Sequence, residues 1–331
     1  MPLPPLDERR ATLLAVESRL VERPSLWDVV GARPEEPLPQ DCCGLSCEPC
    51  VFDLYRDDLH DWAKKALAKI DRQAPLDGSK QKTKAFTKRQ YTAAALTAVR
   101  PLTADVFLYQ FSVDGGDVRS LPLGCHLILK ETDAQKRSFT RQVTPVALGV
   151  DGKSFYVAIR LWKRGKLSDV ARQWRCGQTV QFRGTFGRFD YVKNRYERIV
   201  LYAAGVGVAP LVRIVDKILS QDDDVTRVHL VYSCRSSEQL VLWEKMKEWL
   251  DYWNVSAEFH FTRPSPSHTT PYKVISKSGR VDEESVVATV ESLGDGRQST
   301  QFLVCGSRVF EKDVLNHLLK CSIARDRVVL F

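Results

Sequence analysis

The chain has 331 residues, 44% of them hydrophobic, and nine cysteines, a length that bears two compact domains and an appendage. Its formal charge of +8 comes with no zinc-finger spacing, aromatic RNA-binding signature or recognition-helix pattern, so a nucleic-acid partner is excluded and an acidic protein partner fits better. No run approaches the roughly 18 to 20 apolar residues of a membrane span, and a soluble chain without an integral membrane segment is expected.

In chain order, residues 1–36 read as an N-terminal extension: a helix over 7–21, then the Pro/Glu-rich connector Arg33-Pro34-Glu35-Glu36-Pro37. Asp7, Glu8, Glu17 and Glu22 interrupt the start, which speaks against a signal peptide, and Met1-Pro2-Leu3 lacks a myristoylation glycine. A cytoplasmic protein is expected, with Arg9, Arg10, Arg19 and Arg23 leaving a mitochondrial address open. Residues 37–71 form a cysteine-rich module. Cys42, Cys43, Cys47 and Cys50 precede an amphipathic helix with apolar residues at Val51, Leu54, Tyr55, Leu59, Trp62, Ala63, Ala66, Leu67 and Ile70.

Cys47 and Cys50 have metal-ligand spacing, and Cys42 or Cys43 could complete a tetrathiolate. Adjacency of Cys42 and Cys43 makes that tetrahedron awkward, so a redox dithiol at Cys47 and Cys50, or reduced thiols that fix a turn, stay open beside it. The other five cysteines are scattered singly, and most of them read as buried, reduced fillers.

Residues 72–90 read as a solvated basic linker that includes the run 80–89. Over 91–192 the pattern becomes short alternating strands, such as 106–112 and 155–161, separated by turns at Asp114-Gly115-Gly116, Gly149, Asp151-Gly152 and Gly177. That spacing predicts an antiparallel barrel.

Over 193–331 strands and helices alternate: strands at 198–204, 227–233, 256–262 and 301–304, helices at 210–219, 237–252, 282–293 and 309–321, and a polar loop after 262. The alternation predicts an open parallel α/β sheet. The first of its strands runs into Gly205-Val206-Gly207-Val208-Ala209-Pro210, and the last into Cys305-Gly306-Ser307. A Gly-x-Gly turn alone is commonly just a tight connection, and Pro210 stands where the usual dinucleotide fingerprint has its third glycine or alanine. Both motifs in this order outline a nucleotide-binding half-domain, with pyrophosphate at a helix N-terminus.

Residues 90–331 resemble the ferredoxin-reductase superfamily, and within it the cytochrome b5 reductase branch. The segments that carry the resemblance are Leu121-Pro122-Leu123-Gly124-Cys125-His126, Arg141-Gln142-Val143-Thr144-Pro145, Gly165-Lys166-Leu167-Ser168, Arg183-Gly184-Thr185-Phe186-Gly187, Gly205 to Pro210, and Cys305-Gly306. The cysteine unit resembles the oxidoreductase-like N-terminal module.

The resemblance implies an FAD-dependent NADH reductase that serves a one-electron acceptor such as cytochrome b5 or another acidic haem protein, and that acts as a monomer. It implies that Arg141 and Thr144, with the N–H groups of Gly165, Lys166, Leu167 and Ser168, hold FAD, and that Arg160 lies beside the flavin. Gly205, Gly207 and Gly306 would take the nicotinamide dinucleotide, Cys305 would pack at the hydride-transfer point, and Phe331 would lie near the flavin.

Departures matter. Val143 stands where the family has a tyrosine against the isoalloxazine. Val206 and Ala209 replace two threonines, removing a hydroxyl expected near the flavin. Gln239 replaces an aspartate that accepts the ribose 2′-OH, with Arg235 and Arg263 nearby. A carboxylate repels a 2′-phosphate and arginine attracts it, so the family implies NADH while local charge permits NADPH. Val143 and Val206 also keep a second reading open: a flavin-poor binding or scaffold protein that acts through its cysteine module.

Overall fold

The computed structural model describes residues 6–22, 26–38, 41, 50–72, 84–263 and 274–331. They fall into two compact units, one drawn from residues 1–83 and 130–141, the other from 84–129 and 142–331.

In the first unit, α1 (Leu6–Glu22), α2 (Trp27–Val30) and α3 (Val51–Arg72) bury Val16, Leu20, Val30, Trp62, Ala63 and Ala66 together. α3 forms because its apolar residues recur every three to four positions and because its start is closed. The Cys50 N–H donates to the Asp53 carboxylate at 3.0 Å, which is one arm of a capping box. That bond, helped by Arg56, holds the Asp53 carboxyl below its usual range. Trp27 stacks on Trp62 at 6.2 Å between centroids, and the Trp62 indole donates to the Gly31 carbonyl at 3.3 Å. Cys42, Cys43 and Cys47 lie outside the described residues, and Cys50 is half-buried. Among the described residues no group of three or more His, Cys, Asp or Glu side chains could hold a metal ion, and no helix is long and apolar enough to cross a membrane.

The described residues also form two sheets. The seven strands of the antiparallel sheet are β1 (Thr92–Pro101), β2 (Val106–Ser112), β3 (His126–Thr132), β4 (Ser138–Val143), β5 (Pro145–Leu148), β6 (Ser154–Arg160) and β7 (Thr179–Phe186), with α4 (Lys166–Ala171) between the last two. Their order is β4-β3-β7-β1-β2-β6-β5. Alternation sends Tyr109, Phe111, Phe155, Val157, Val180 and Phe182 inward. Phe111 meets Phe182 edge-on at 4.9 Å and Phe155 meets Phe182 at 5.2 Å, each pair worth about 0.5–1.5 kcal/mol beyond its burial.

Phe86 closes this core, 5.3 Å from Phe155 and 2% exposed. The expectation of a solvated linker through residue 90 is therefore corrected: Ala85 and Phe86 are barrel core, because one aromatic among lysines gains more from burial than the backbone loses by being ordered. The expectation that most of the scattered cysteines are buried is corrected as well: Cys125 is buried, Cys234, Cys305 and Cys321 are half-buried, and Cys176 is exposed.

The second sheet is parallel, with β8 (Arg198–Ala204), β9 (Arg227–Cys234), β10 (Val255–Phe261), β11 (Val274–Ser278), β12 (Thr300–Cys305) and β13 (Val328–Leu330) in the order β11-β10-β9-β8-β12-β13. The helices are α5 (Ala209–Leu219), α6 (Trp243–Leu250), α7 (Glu283–Glu291) and α8 (Arg308–Lys320). β8 is apolar on both faces because both are covered.

The expected helix over 237–252 is corrected. Residues Ser237–Gln239 make one 3-10 turn, Leu240 is extended, Leu242 takes φ +62°, and α6 starts at Trp243. β11 and β13 are additional to the expected strands. β8 neighbours both β9 and β12, so the direction of winding reverses between β8 and β12. That is the switch point where open α/β sheets bind ligands.

Candidate functional site

Parallel register sets Cys305 opposite Ala203, which brings the Gly205–Val208 turn and the Cys305-Gly306 turn to the same sheet edge. They touch. A Cβ on Gly207 would stand 2.3 Å from the Cys305 carbonyl oxygen and 2.9 Å from the Gly306 Cα, so only glycine permits this approach. The Gly306 N–H donates to the Glu311 carboxylate at 2.9 Å, and burial raises the Glu311 pKa. Burial, then Glu311, pushes the Cys305 thiol up to about 12. It stays protonated at neutral pH, which suits a packing role and not a nucleophile.

Tyr232 makes the turn rigid. Its buried hydroxyl donates to the Gly205 carbonyl at 2.8 Å and accepts the Val241 N–H at 3.2 Å, and burial raises its pKa. The broken helix has its reason here, since the extended 240–242 stretch delivers Val241 to that hydroxyl.

The barrel supplies the other wall. Arg160, at the end of β6, pairs with Asp105 at 3.3 Å and lies over Trp162 at 5.5 Å. Its guanidinium stands 3.1 Å from where a Gly205 Cβ would be. The C-terminal Phe331 ties both halves together. Its N–H donates to the Val304 carbonyl at 3.1 Å, and its own carbonyl faces the Cys305 Sγ at 3.9 Å. Its ring packs on Gly124, where a Cβ would come within 2.4 Å of it. Arg213 of α5 donates to the carbonyls of Pro122 and Leu121 at 3.0 and 2.6 Å, fixing the loop that carries Gly124.

Of the expected residues, Arg160 and Gly205 lie against each other, Gly207 lies against Cys305 and Gly306, and Phe331 lies against Cys305. Ala209 begins α5 directly behind the turn and is buried. Gly165, Lys166, Leu167 and Ser168 form the start of α4, where first-turn N–H groups have no intrahelical acceptor. The Ser168 hydroxyl is not among the outward groups, because it accepts the Trp162 N–H at 2.9 Å. Val143 packs into the barrel core at 8% exposure, and Thr144 links β4 to β5. Arg141 belongs to the first unit, where its exposed guanidinium donates to the Thr140 carbonyl at 2.6 Å and lies over Phe139 at 5.6 Å. Gln239 lies in the 3-10 turn after β9 and Arg263 just past the end of β10.

Tyr232, Arg213 and Glu311 were missed by sequence reasoning. A tyrosine inside an apolar strand, an arginine inside an apolar helix run and a glutamate one turn into a helix are each ordinary alone, and their partners are distant in sequence.

His126 sits in a dry environment beside Phe186. It stacks on Phe186 at 5.8 Å, its Nε2 is buried without a partner, and burial lowers its pKa to about 4. An unfolded histidine titrates near about 6.5, so the unfolded chain binds more protons between the two values. The stability that His126 contributes is full above about pH 6.5 and is lost as pH falls towards about 4, by up to roughly 3 kcal/mol. Urea unfolding at about pH 7.5 and about pH 5 should show a clearly shallower pH dependence for His126→Phe than for the parent chain. Equal slopes would contradict this.

A family model described as the oxidoreductase NAD-binding domain matches residues 201–316. One described as the oxidoreductase FAD-binding domain matches 93–191, and one described as the N-terminal oxidoreductase-like protein matches 28–70. The chain is 33% identical over 302 residues to the NADH-cytochrome b5 reductase-like protein of Homo sapiens, covering 90% of this chain and 94% of that one. In structure it is similar to the cytochrome b5 reductase domain of Ulva prolifera nitrate reductase, with a TM-score of 0.65 at 20% identity, covering 75% of this chain and 100% of that one. It is also similar to the CS-b5R domains of human Ncb5or in the NAD+ form, with a TM-score of 0.62 at 19% identity, covering 73% of this chain and 69% of that one.

Proposed function

The chain belongs to the NADH-cytochrome b5 reductase-like family, and from that premise we propose that it draws electrons from NADH through FAD and delivers them singly to cytochrome b5 or another acidic haem protein. Bound FAD supplies the chemistry, converting a two-electron hydride into two one-electron transfers. The protein's share is holding, orienting and keeping water out.

The observation that carries this reading is the contact of the glycine turn with the Cys305-Gly306 turn at the switch point, with Arg160 and Phe331 of the same unit against it. Residues on both sides fit the two cofactors. Arg141, exposed and without a carboxylate partner among the described residues, would take a pyrophosphate bidentately. In the second unit the first turn of α4 would offer N–H groups to a phosphate. Gly205 and Gly207 let the backbone come close to the dinucleotide. The protonated Cys305 thiol and the Phe331 backbone, in contact with each other, would orient the nicotinamide and the flavin, where orientation governs the rate. Val143 cannot stack on a ring, so the phosphate arm carries more of the FAD affinity than in a tyrosine-bearing relative.

Delivery depends on charge. Lys163 and Arg164 are exposed in the turn between β6 and α4, beside the half-exposed Trp162, and would steer an acidic haem protein to the flavin edge. Reversing both to glutamate should slow haem reduction about tenfold at low salt and flatten its salt dependence, while flavin reduction by NADH is unchanged. A rate indifferent to both the reversal and salt would reject this docking face.

A further inference from the structure

Parallel strands covered on both faces are apolar almost throughout, and β10 is not. It reads Val-Ser-Ala-Glu-Phe-His-Phe, which alternates Ser256, Glu258 and His260 onto one face. Register sets Ser256 opposite His229, and Arg198 opposite Arg227. A polar stripe therefore runs along the face of the parallel sheet on which α7 packs Val286 and Val290.

Towards the C-terminal ends of the strands the stripe satisfies itself: Glu258 pairs with His260 at 2.5 Å and with Lys277 at 3.0 Å. Towards the N-terminal ends it does not. The Arg198 Nε is buried without a hydrogen bond, and its contact with Glu197 is long, at 3.9 Å. Arg227 is exposed and has no ion-pair partner among the described residues. The His229 Nδ1 lies 2.8 Å from the Ser256 hydroxyl. Burial lowers the His229 pKa, so its ring adds no charge at neutral pH.

Arg198, Arg227, His229 and Ser256 line a cavity of about 490 Å³. It crosses the sheet from β8 over β9 and β10 to β11, about 14 Å at about 4.8 Å a step. The two arginines occupy its β8–β9 end. Ile275 lies at the β11 end and is 55% exposed, and Trp253, just before β10, is 66% exposed. Among the described residues no acidic side chain lines the cavity. One end is cationic and the other apolar.

We infer that this cavity binds an amphipathic carboxylate, with the carboxylate on Arg198 and Arg227 and the apolar body along Trp253 and Ile275. A guanidinium takes a carboxylate with paired, charge-assisted bonds. Two guanidiniums against Glu197 leave one positive charge, which a monoanion balances and a phosphate dianion overshoots. The cavity lies at the N-terminal end of β8, whereas the glycine turn follows its C-terminal end. That strand spans roughly 20 Å, so a ligand here lies clear of the glycine turn and its binding does not depend on the reductase reading.

The test is calorimetric titration of the full-length protein with 2-naphthoate and with its neutral counterpart 2-naphthamide. The acid should bind about tenfold or more tightly than the amide, and its advantage should fade as salt rises. Arg227→Gln, at an exposed position, should remove most of that advantage, and Trp253→Ser should weaken both ligands. An excess of NAD+ should leave the acid bound, because the glycine turn lies at the far end of β8. Equal binding of acid and amide, an affinity indifferent to both substitutions, displacement by NAD+, or no binding of the acid overturns the site. None of these results bears on the reductase reading, which the flavin spectrum tests separately.

Discussion

Replacing Gly207 by alanine will leave a folded, flavin-loaded protein that NADH reduces about a hundredfold more slowly, because misplacing reacting groups by about an ångström costs that much. The new methyl would stand 2.3 Å from the Cys305 carbonyl oxygen and 2.7 Å from its carbon. These are backbone atoms, so no rotamer change relieves the contact. Either the glycine turn lifts from the sheet edge or the Cys305-Gly306 turn moves outward, and in both cases nicotinamide and flavin lose their shared reference. Overpacking of this kind also costs roughly 1–3 kcal/mol in stability. Stopped-flow flavin reduction, with the FAD-to-protein ratio measured on the same sample, separates the two effects. Gly115, with nothing within 4 Å of a built Cβ, is the control, and Gly115→Ala should change neither. A Gly207→Ala protein reduced at the parent rate would show that the contact between the turns has no part in hydride transfer.

Arg213→Met should be the most destabilising substitution outside the apolar core. The guanidinium is largely buried, and burial pulls its pKa down while Cys125 opposes that shift. It donates to two carbonyls of the Leu121–Pro122 segment. Methionine fills much of the same space but satisfies neither acceptor. Hydrogen bonds from a charged group contribute about 1.5–3 kcal/mol each, so a loss of about 3 kcal/mol or more is expected. That corresponds to a fall in Tm on the order of 5–10 °C. The consequence for function follows the chain: Leu121–Pro122 leads to Gly124, Gly124 carries the Phe331 ring, and the Phe331 carbonyl faces Cys305. Flavin reduction should therefore slow along with the loss of stability, and Arg213→Lys should recover only part of each, because a single ammonium lacks the planar fork. An unchanged melting temperature would show that the loop holds itself.

What could be read from the chain beforehand follows from how each feature is encoded. β2 and β8 were legible to the residue because Val106–Ser112 and Arg198–Ala204 carry β-rich, largely buried patterns bounded by turn residues. The two turns at the switch point were legible because close backbone approach leaves glycine as its trace, at Gly207 most clearly. α6 was misread because the apolar spacing of residues 237–252 suits one helix. Its first turn is undone by a tertiary bond, Val241 to the Tyr232 hydroxyl, with Leu242 driven to φ +62°. β11 and β13 are five and three residues long; Val-Ile-Ser-Lys-Ser and Val-Val-Leu are too short to show a period, and a neighbouring strand decides their state. Arg213 resembles any helix arginine until its partners, 91 and 92 residues away in sequence, are brought beside it.

The central claim is that this chain holds FAD and reduces it with a pyridine nucleotide. Its most direct test is the visible spectrum of the freshly purified protein, recorded before and after anaerobic addition of NADH and then of NADPH. Bound flavin should show bands near about 375 and 460 nm that bleach on addition of the nucleotide, since the cofactor carries both the chromophore and the chemistry. A colourless protein that stays colourless after FAD is added would contradict the reductase account and turn attention to Cys42, Cys43, Cys47 and Cys50 as the functional part of the chain.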